Sequence, residues 1–257
     1  MLTILRQEEI MSILRERKSA TVQQLSELLF ASGSTIRRDL TELEKLGLIR
    51  RSHGGAVLFE DGGDESSALL REQQNPREKK RAAEAAFPLL RSGASVFLDS
   101  SSTCGMLIPL LGRLDSLTVV TNGLKNALLL AEYPGIRVNM TCGSLKSGSN
   151  SVVGSDALQY LSGIHPDFTI LSCSGVDADG FSESSFEQRR LKEQMLRNAH
   201  TRIIICDGSK FGRTCLARLG DFSSADWLVT DIRPSEEITA AAGKAGCRIV
   251  CGSGTEQ

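Results

Sequence analysis

Residues 32–57 read SGSTIRRDLTELEKLGLIRRSHGGAV, and this stretch decides the fold of the first part of the chain. Its apolar residues are spaced four, three and three apart, at Ile36, Leu40, Leu43 and Leu46. That spacing predicts an amphipathic helix with one buried stripe. A serine, either Ser32 or Ser34, is placed to cap the helix, and Gly47 is placed to end it.

The exposed face of this predicted helix is basic. Arg37 and Arg38 fall in its first turns, and Asp39 and Glu42 are expected either to orient these arginines or to face away. After the helix, residues 48–58 predict two short strands around a His-Gly-Gly turn, with further basic side chains at the entry. A helix followed by a basic hairpin is typical of a winged helix-turn-helix.

Two more helices are predicted upstream. Residues 3–17 carry apolar side chains near helical spacing, and Thr21 and Gln24 fit a capping box at the start of a second helix through Leu29. Three helices and a hairpin match the module whose last helix enters the DNA major groove. We predict DNA contacts from Ser32, Ser34, Thr35, Arg37, Arg38, Arg50, Arg51 and His53. The alternative is that this charged helix face is merely solvated.

Charge and composition set broad limits on the class of protein. The 257 residues are 40% hydrophobic and 24% charged, and the net charge is -1. Residues 1–58 hold nine Lys and Arg against seven Asp and Glu, so the N-terminal part is mildly basic at +2 and the remainder is -3. The length allows two domains. Without a long apolar run or a signal sequence, we expect neither a membrane span nor secretion, and we place the protein in the cytoplasm.

Cysteine usage argues against a metal or redox site. Seven cysteines make an odd count, several lie in apolar strand-like runs, and no Cys-x-x-Cys pair occurs. We interpret them as reduced core residues, and we expect no metal and no cofactor.

Two runs of the sequence carry a family resemblance. TIRRDL at residues 35–40 and R-S-H-G-G-A at residues 51–56 resemble the DeoR family of bacterial transcriptional regulators. The resemblance implies an N-terminal DNA-binding module followed by a ligand-sensing domain related to sugar-phosphate isomerases. We expect a winged helix-turn-helix at residues 1–58, an acidic, Gly-rich linker at 59–74, and an α/β effector-binding domain at 75–257.

The sensor part begins with a predicted helix. Asn75 is placed as its cap and Pro76 as its first residue, while Gly93 is expected to close it near residue 92. Pro88 lies inside this stretch and is expected to kink it.

Short apolar runs then alternate with helical stretches. The predicted strands are residues 95–99, 117–121, 136–142, 168–173, 202–207, 226–231 and 248–251. The predicted helices are residues 103–112, 123–132, 153–163, 185–199 and 235–243. This alternation favours an α/β fold with a mostly parallel sheet covered on both faces, in which ligands bind at the carboxyl ends of the strands.

Small and polar residues follow those strands. Asp99 is followed by three serines and Thr103 directly before a helix, a pattern that favours anion binding, although serine and threonine also cap helices without any ligand. Asp99 and Asp207 are placed to accept sugar hydroxyls, and Lys210 is placed to neutralise a phosphate.

The same loops resemble the sensor domain of the family. After successive strands the family has the runs D-x-G-T-T, T-N, G-G and D-S-S-K-F, and on a helix it has E-x4-K-x2-M-x3-A. This sequence departs from the strand-end runs at four positions, with serine at 101, 102 and 144 and glycine at 208. We predict an effector site formed by Asp99, Ser101, Ser102, Thr103, Thr121, Asn122, Gly143, Gly175, Lys192, Asp207, Ser209 and Lys210. Asp177, Asp179 and Glu187 fit surface ion pairs better, and Lys192 fits either role.

The sequence thus predicts a transcriptional regulator without catalytic residues, most simply a repressor of a carbohydrate-metabolism operon. Its expected partners are operator DNA, a phosphorylated sugar or polyol, and further copies of itself in a homodimer or homotetramer. Two alternatives stay open: a sugar-phosphate isomerase or deaminase with an appended DNA module, and an adaptor whose winged helix binds protein.

Overall fold

The computed structural model describes residues 3–45, 49–52, 54–58, 68–146 and 148–252. The chain divides into two compact units, Met1–Leu70 and Arg71–Gln257. The predicted linker falls partly outside the described residues, and its end forms a short helix, α4 (Ala68–Gln73), that the sequence analysis did not anticipate. The predicted domain boundaries stay predictions.

The first unit is a three-helix module with a small sheet. In chain order its elements are α1 (Thr3–Arg17), β1 (Ser19–Thr21), α2 (Val22–Leu28), α3 (Gly33–Lys45), β2 (Ile49–Ser52) and β3 (Gly55–Leu58). Ile36, Leu40 and Leu43 of α3 are buried against apolar residues of α1 and α2, as the spacing predicts. The Thr21–Gln24 capping box is present. Leu46, Gly47 and His53 lie outside the described residues.

The hairpin of this unit gains a third strand that the sequence analysis missed. β1 pairs antiparallel with β3, so the sheet order is β1-β3-β2. At Gly55 the two strands approach so closely that a Cβ atom would lie 2.3 Å from the carbonyl oxygen of Ala20. Gly54 has a φ of +83°, which the turn requires. The two glycines therefore serve different purposes.

The second unit contains all seven predicted strands in one parallel sheet. Its strands are β4 (Ser95–Leu98), β5 (Leu117–Thr121), β6 (Ile136–Met140), β7 (Ser144–Lys146), β8 (Ser151–Val153), β9 (Phe168–Leu171), β10 (Gly175–Asp177), β11 (Gly180–Glu183), β12 (Thr201–Cys206), β13 (Ala217–Gly220), β14 (Trp227–Thr230) and β15 (Arg248–Cys251). Its helices after α4 are α5 (Pro76–Ala86), α6 (Ser102–Gly105), α7 (Ile108–Leu111), α8 (Leu124–Leu130), α9 (Ser155–Ser162), α10 (Phe186–Asn198) and α11 (Glu236–Lys244).

The large sheet has the order β15-β14-β12-β9-β4-β5-β6. Successive residues of a strand point to opposite faces, so Ile204 joins the core on one face while Ile203 and Ile205 join the core on the other. Helices cover both faces, which explains the near-continuous apolar strands. The remaining strands form a three-stranded antiparallel sheet (β10-β11-β13) and a hairpin (β7-β8) that the sequence analysis missed.

Two helix predictions are wrong in detail. α5 ends at Ala86, six residues earlier than expected, and Pro88 lies in a 3-10 turn because it cannot continue the hydrogen-bond ladder. Asn75 makes no side-chain cap and has a φ of +51°. The expected helix at 103–112 is broken into α6 and α7, with Pro109 inside the second.

The cysteines only partly match their prediction. All seven are free; Cys104, Cys173, Cys206 and Cys247 are buried, whereas Cys142 and Cys251 are exposed and Cys215 is half-buried. In the described ranges, no three His, Cys, Asp or Glu side chains are grouped as metal ligands. Among the helices of that part of the chain, none has the length and apolar character needed to cross a membrane.

Candidate DNA-binding surface and effector crevice

The N-terminus of α3 is organised by serine hydroxyls. Ser32 Oγ accepts a hydrogen bond from the backbone N–H of Thr35 at 3.2 Å and lies 2.9 Å from Ser34 Oγ and 2.8 Å from Thr35 Oγ1. Ser32 is thus the cap, because it satisfies a backbone donor that the helix cannot. The hydroxyl cluster leaves Ser32 and Ser34 exposed at the end of the helix.

Arg37 and Arg38 are both exposed on α3, away from the buried stripe. Asp39, in contrast, points inward: it is 1% exposed and pairs with Arg6 of α1. Of the two alternatives expected for Asp39, the structure therefore shows the second: Asp39 faces away from the two exposed arginines, because Arg6 pairs with its carboxylate in the interior.

The two wing arginines lie in different surroundings. Arg50 is exposed on β2. Arg51 is half-buried, and its guanidinium donates at 3.3 Å to the carbonyl oxygen of Arg37 and to Thr41 Oγ1 on α3. Its backbone N–H donates to Glu44 at 2.9 Å. Arg51 therefore fastens the wing to the helix in this structure, while the Arg50 side chain is exposed.

A second candidate site lies where the large sheet changes its direction of growth. From β4 the chain builds outward through β5 and β6, then returns to β9 on the other side of β4 and continues through β12. Ligands of open α/β sheets bind at this switch point, outside the carboxyl ends of the strands. Four neighbouring strands there end in Asp207, Ser172, Asp99 and Asn122. With strands about 4.8 Å apart, this row spans about 15 Å.

A buried ion cluster occupies the middle of the crevice. Lys192 of α10 is 6% exposed, and its ammonium lies 2.5 Å from Glu183 Oε1, 3.3 Å from Asp99 Oδ2 and 2.8 Å from the carbonyl oxygen of Ser172. Asp99 also accepts hydrogen bonds from Ser101 and from the backbone of Ser172. Burial opposes ionisation of Asp99, but the Lys192 charge and the Ser101 hydrogen bonds hold its pKa below the ordinary value.

Asp207 has a different environment. Its Oδ1 accepts hydrogen bonds from Ser209 and, at 3.1 Å, from the side-chain amide of Asn75. Its Oδ2 is buried and has no hydrogen-bond partner among the described residues. Asp207 therefore keeps one acceptor for a ligand, whereas both oxygens of Asp99 are already engaged.

Lys79 brings a buried positive charge to the same region. It is 3% exposed and donates to the carbonyl oxygen of Arg71. Burial lowers its pKa to about 8, Asp207 opposes that change, and Lys210 and Arg71 reinforce it. An anion arriving here would stabilise the charged form of Lys79.

Three buried polar atoms in the crevice have no hydrogen-bond partner among the described residues: Asn122 Oδ1, Ser172 Oγ and Asp207 Oδ2. Each belongs to a side chain that is at most 3% exposed, at the end of β5, β9 or β12. Buried polar groups are rarely left unpaired without a reason. All three can accept hydrogen bonds from hydroxyl groups.

Several predicted effector residues already have structural partners. Ser101 caps α6, Ser102 donates to the Arg71 carbonyl, Thr121 accepts from Gly123, and Thr103 is buried in α6. Because α6 has only four residues, the expected helix dipole is small. Ser209 is exposed and Lys210 is half-buried in a 3-10 turn after β12.

The two predicted glycines are explained by the protein backbone itself. A Cβ on Gly143 would lie 2.5 Å from the Val153 carbonyl oxygen, and one on Gly175 would lie 2.3 Å from that of Arg213. Asp177 and Asp179 contact Arg218, and Glu187 contacts Lys146, as expected for surface ion pairs.

Three residues of the crevice, Lys79, Ser172 and Glu183, were not predicted from the sequence. The burial of Lys79 could have been predicted, because its spacing places it on the same helical face as the buried alanines of α5. Ser172 was placed inside a strand that in fact ends at Leu171. Glu183 lies in β11, a strand too short to be recognised from its pattern.

Fold and geometry define a class of protein: a winged helix-turn-helix unit joined in sequence to an α/β unit with a polar crevice at its switch point. Comparison with known families agrees. The DeoR-like helix-turn-helix domain matches residues 6–61, and the DeoR C terminal sensor domain matches residues 74–232.

Individual relatives span nearly the whole chain. It is 36% identical over 232 residues to an uncharacterized HTH-type transcriptional regulator of Bacillus subtilis, covering 90% of each protein. It is 30% identical to the glycerol-3-phosphate regulon repressor of Escherichia coli, covering 91% of this chain and 92% of that protein. A solved ribose 5-phosphate isomerase A from Methanocaldococcus jannaschii is 16% identical over 54% of this chain and 55% of that one, with a TM-score of 0.40.

The chain belongs to the DeoR family. It is a DNA-binding transcriptional regulator that carries the sensor domain of that family.

Proposed function

We propose that this protein represses a carbohydrate-metabolism operon and that a phosphorylated sugar or polyol, bound in the switch-point crevice, changes its affinity for DNA. The unpaired acceptors Asn122 Oδ1, Ser172 Oγ and Asp207 Oδ2 carry the proposal. They suit the hydroxyl groups of a polyol, and Lys79 and Lys210 suit its phosphate. The glycerol-3-phosphate regulon repressor among the relatives supports an effector of this class.

DNA contacts are proposed for the predicted set except Arg51, with α3 in the major groove. Arg37 and Arg38 face base edges, while Arg50, His53 and the hydroxyls at the start of α3 contact phosphates. Arg51 instead supports the wing from α3. Lys192 stays in the proposed effector site, but its ammonium is paired with Asp99 and Glu183. Its proposed role is therefore to hold these two carboxylates in place.

The segment at residues 71–75 supplies a route from the crevice toward the DNA-binding unit that precedes it in sequence. Among the described residues, the contacts that hold it include those of Ser102 and Lys79 with the Arg71 carbonyl, Lys125 with Glu72, and Asn75 with Asp207. An effector that binds Lys79 or Asp207 competes for these contacts. The two ligation states then differ in how this segment is held, which is what a change in DNA affinity requires.

The test is calorimetric titration of the full chain at pH 8 with glycerol 3-phosphate, ribose 5-phosphate and glucosamine 6-phosphate. Because the pKa of Lys79 is about 8, a bound dianion is expected to draw up to about half a proton onto it. The heat must then vary with the ionisation enthalpy of the buffer. Lys79→Met should remove this proton uptake, and Lys80→Met, its exposed neighbour, should retain it. The effector proposal fails if no compound binds at millimolar concentration.

An enzymatic function has a separate readout. The Lys192 charge is compensated by Asp99 and Glu183, which favours a structural ion cluster over a proton-transfer group. We expect no isomerisation of ribose 5-phosphate and no deamination of glucosamine 6-phosphate. Turnover above background that Lys192→Ala abolishes would instead establish an isomerase or deaminase.

A further inference from the structure

A buried ion pair lies beneath the helix that carries the recognition arginines. Asp39 of α3 accepts two hydrogen bonds from Arg6 of α1: Nε to Oδ2 at 2.5 Å and Nη2 to Oδ1 at 3.2 Å. Arg6 is 7% exposed and Asp39 is 1% exposed. The neighbouring buried residues of α3 are apolar.

The pair is directional, whereas its surroundings are not. Apolar packing of Ile36, Leu40 and Leu43 resists exposure to water but depends weakly on orientation. A two-point guanidinium–carboxylate contact sets the rotation of the helix about its axis as well as its position along that axis.

Small rotations matter at the exposed face of the helix, where Arg37 and Arg38 lie. On a helix about 11 Å across, a rotation of about 20° moves a side-chain tip by about 2 Å. Hydrogen-bond distances to bases tolerate only a few tenths of an ångström. Asp39 directly follows Arg37 and Arg38, so the orientation that Arg6 imposes is passed to them without an intervening residue.

Stability alone is a weak explanation for the pair. A buried ion pair must overcome the desolvation of two charges, and replacement by apolar residues of similar size is often neutral or stabilising. We therefore propose that Arg6 is a positioning residue for DNA recognition: through Asp39 it holds α3 in the rotation that directs Arg37 and Arg38 to base edges. The proposal rests on α3 lying in the major groove and is independent of the effector.

The experiment uses the full chain and two duplexes. One is selected by the wild-type chain from a random-sequence pool, and the other has the same composition in shuffled order. The ratio of the two affinities measures sequence recognition, while the shuffled duplex alone measures phosphate contacts. Folding of each variant is followed by amide hydrogen exchange of the first unit.

Two charge-conserving changes test the pair. Arg6→Lys keeps the charge but loses the two-point geometry. The double change Arg6→Met with Asp39→Leu keeps the net charge and supplies an apolar contact. We expect both to remain folded and to bind the shuffled duplex within about twofold of wild type, while the affinity ratio falls at least about tenfold, because each base contact is worth a factor of about five or more. Lys80→Gln with Glu84→Gln, an exposed pair on α5, should change neither value.

The outcomes separate the explanations. If the double variant is folded and keeps the wild-type ratio, the pair is only structural and the proposal is wrong. If the double variant does not fold, the Arg6→Lys variant is used instead, and a wild-type affinity ratio in that folded variant likewise shows that the proposal is wrong. If Arg37→Ala with Arg38→Ala leaves the ratio unchanged, the placement of α3 in the groove is wrong, and the positioning role falls with it.

Discussion

At the scale of single residues, similar side chains in adjacent positions have different roles. Gly54 adopts a conformation that other residues avoid, whereas Gly55 makes room for β1. Lys79 is buried in the sensor unit while Lys80 is exposed. In each case, the neighbours in three dimensions decide the role.

We predict that Gly55→Ala destabilises the DNA-binding unit more than Gly54→Ala does. The added methyl group at 55 meets the Ala20 carbonyl, and overpacking of this kind costs about 2 kcal/mol. At 54 no atom lies within 4 Å of the added group, so the cost is backbone strain alone, about 1 kcal/mol. Amide hydrogen exchange across residues 3–45 measures both. An equal or reversed order would contradict the assigned roles.

At the scale of elements, the wing is held by Arg51 and leaves Arg50 exposed. The guanidinium of Arg51 bonds to α3 through Arg37 and Thr41. This contact links β2 to α3, so one arginine of the predicted pair stabilises the shape of the proposed DNA-binding surface and the other is exposed.

We therefore expect the two arginines to differ in salt dependence. Arg50→Ala should lower the slope of log affinity against log salt by about 0.9, the contribution of one phosphate contact. Arg51→Ala should weaken binding with little change of slope, because a loosened wing does not remove a phosphate contact. Fluorescence anisotropy between low and moderate salt measures both slopes. An equal loss of slope in Arg51→Ala would show that Arg51 contacts phosphate directly.

At the scale of the whole molecule, the proposed regulation requires the two units to act together. The crevice and the segment at residues 71–75 belong to the sensor unit, and the arginines of α3 belong to the other. Helix-turn-helix proteins usually bind as dimers to two half-sites separated by about 10 base pairs or a multiple of that. An effector that changes the spacing between the two DNA-binding units of a dimer therefore changes the affinity for DNA.

We predict that the full chain is at least a dimer at micromolar concentration, held mainly by residues 75–257. Light scattering of the full chain measures the mass, and the same measurement on a chain lacking residues 1–58 locates the contact. A monomeric full chain would remove the basis for regulation through half-site spacing. Dissociation of the dimer upon that truncation would place the contact in the DNA-binding unit instead.

The sequence by itself determined the elements with strong local signals. α1, α3, the Thr21–Gln24 capping box, the hairpin and all seven strands of the parallel sheet follow from apolar spacing, β-branched runs and caps, because these depend on neighbours along the chain. The meeting of the polar strand ends also followed, since parallel strands bring their carboxyl ends to one edge of the sheet.

Only the tertiary structure decided which side chains meet. The pairing of Arg6 with Asp39 joins residues 33 positions apart, and Lys192 reaches Asp99 from a distant helix. β1 is a strand only because β3 lies beside it, and Asn75 binds Asp207 rather than capping its own helix. Contacts of this kind leave no pattern in the local sequence. Two polar groups far apart in the chain become partners only when folding buries both and removes them from water.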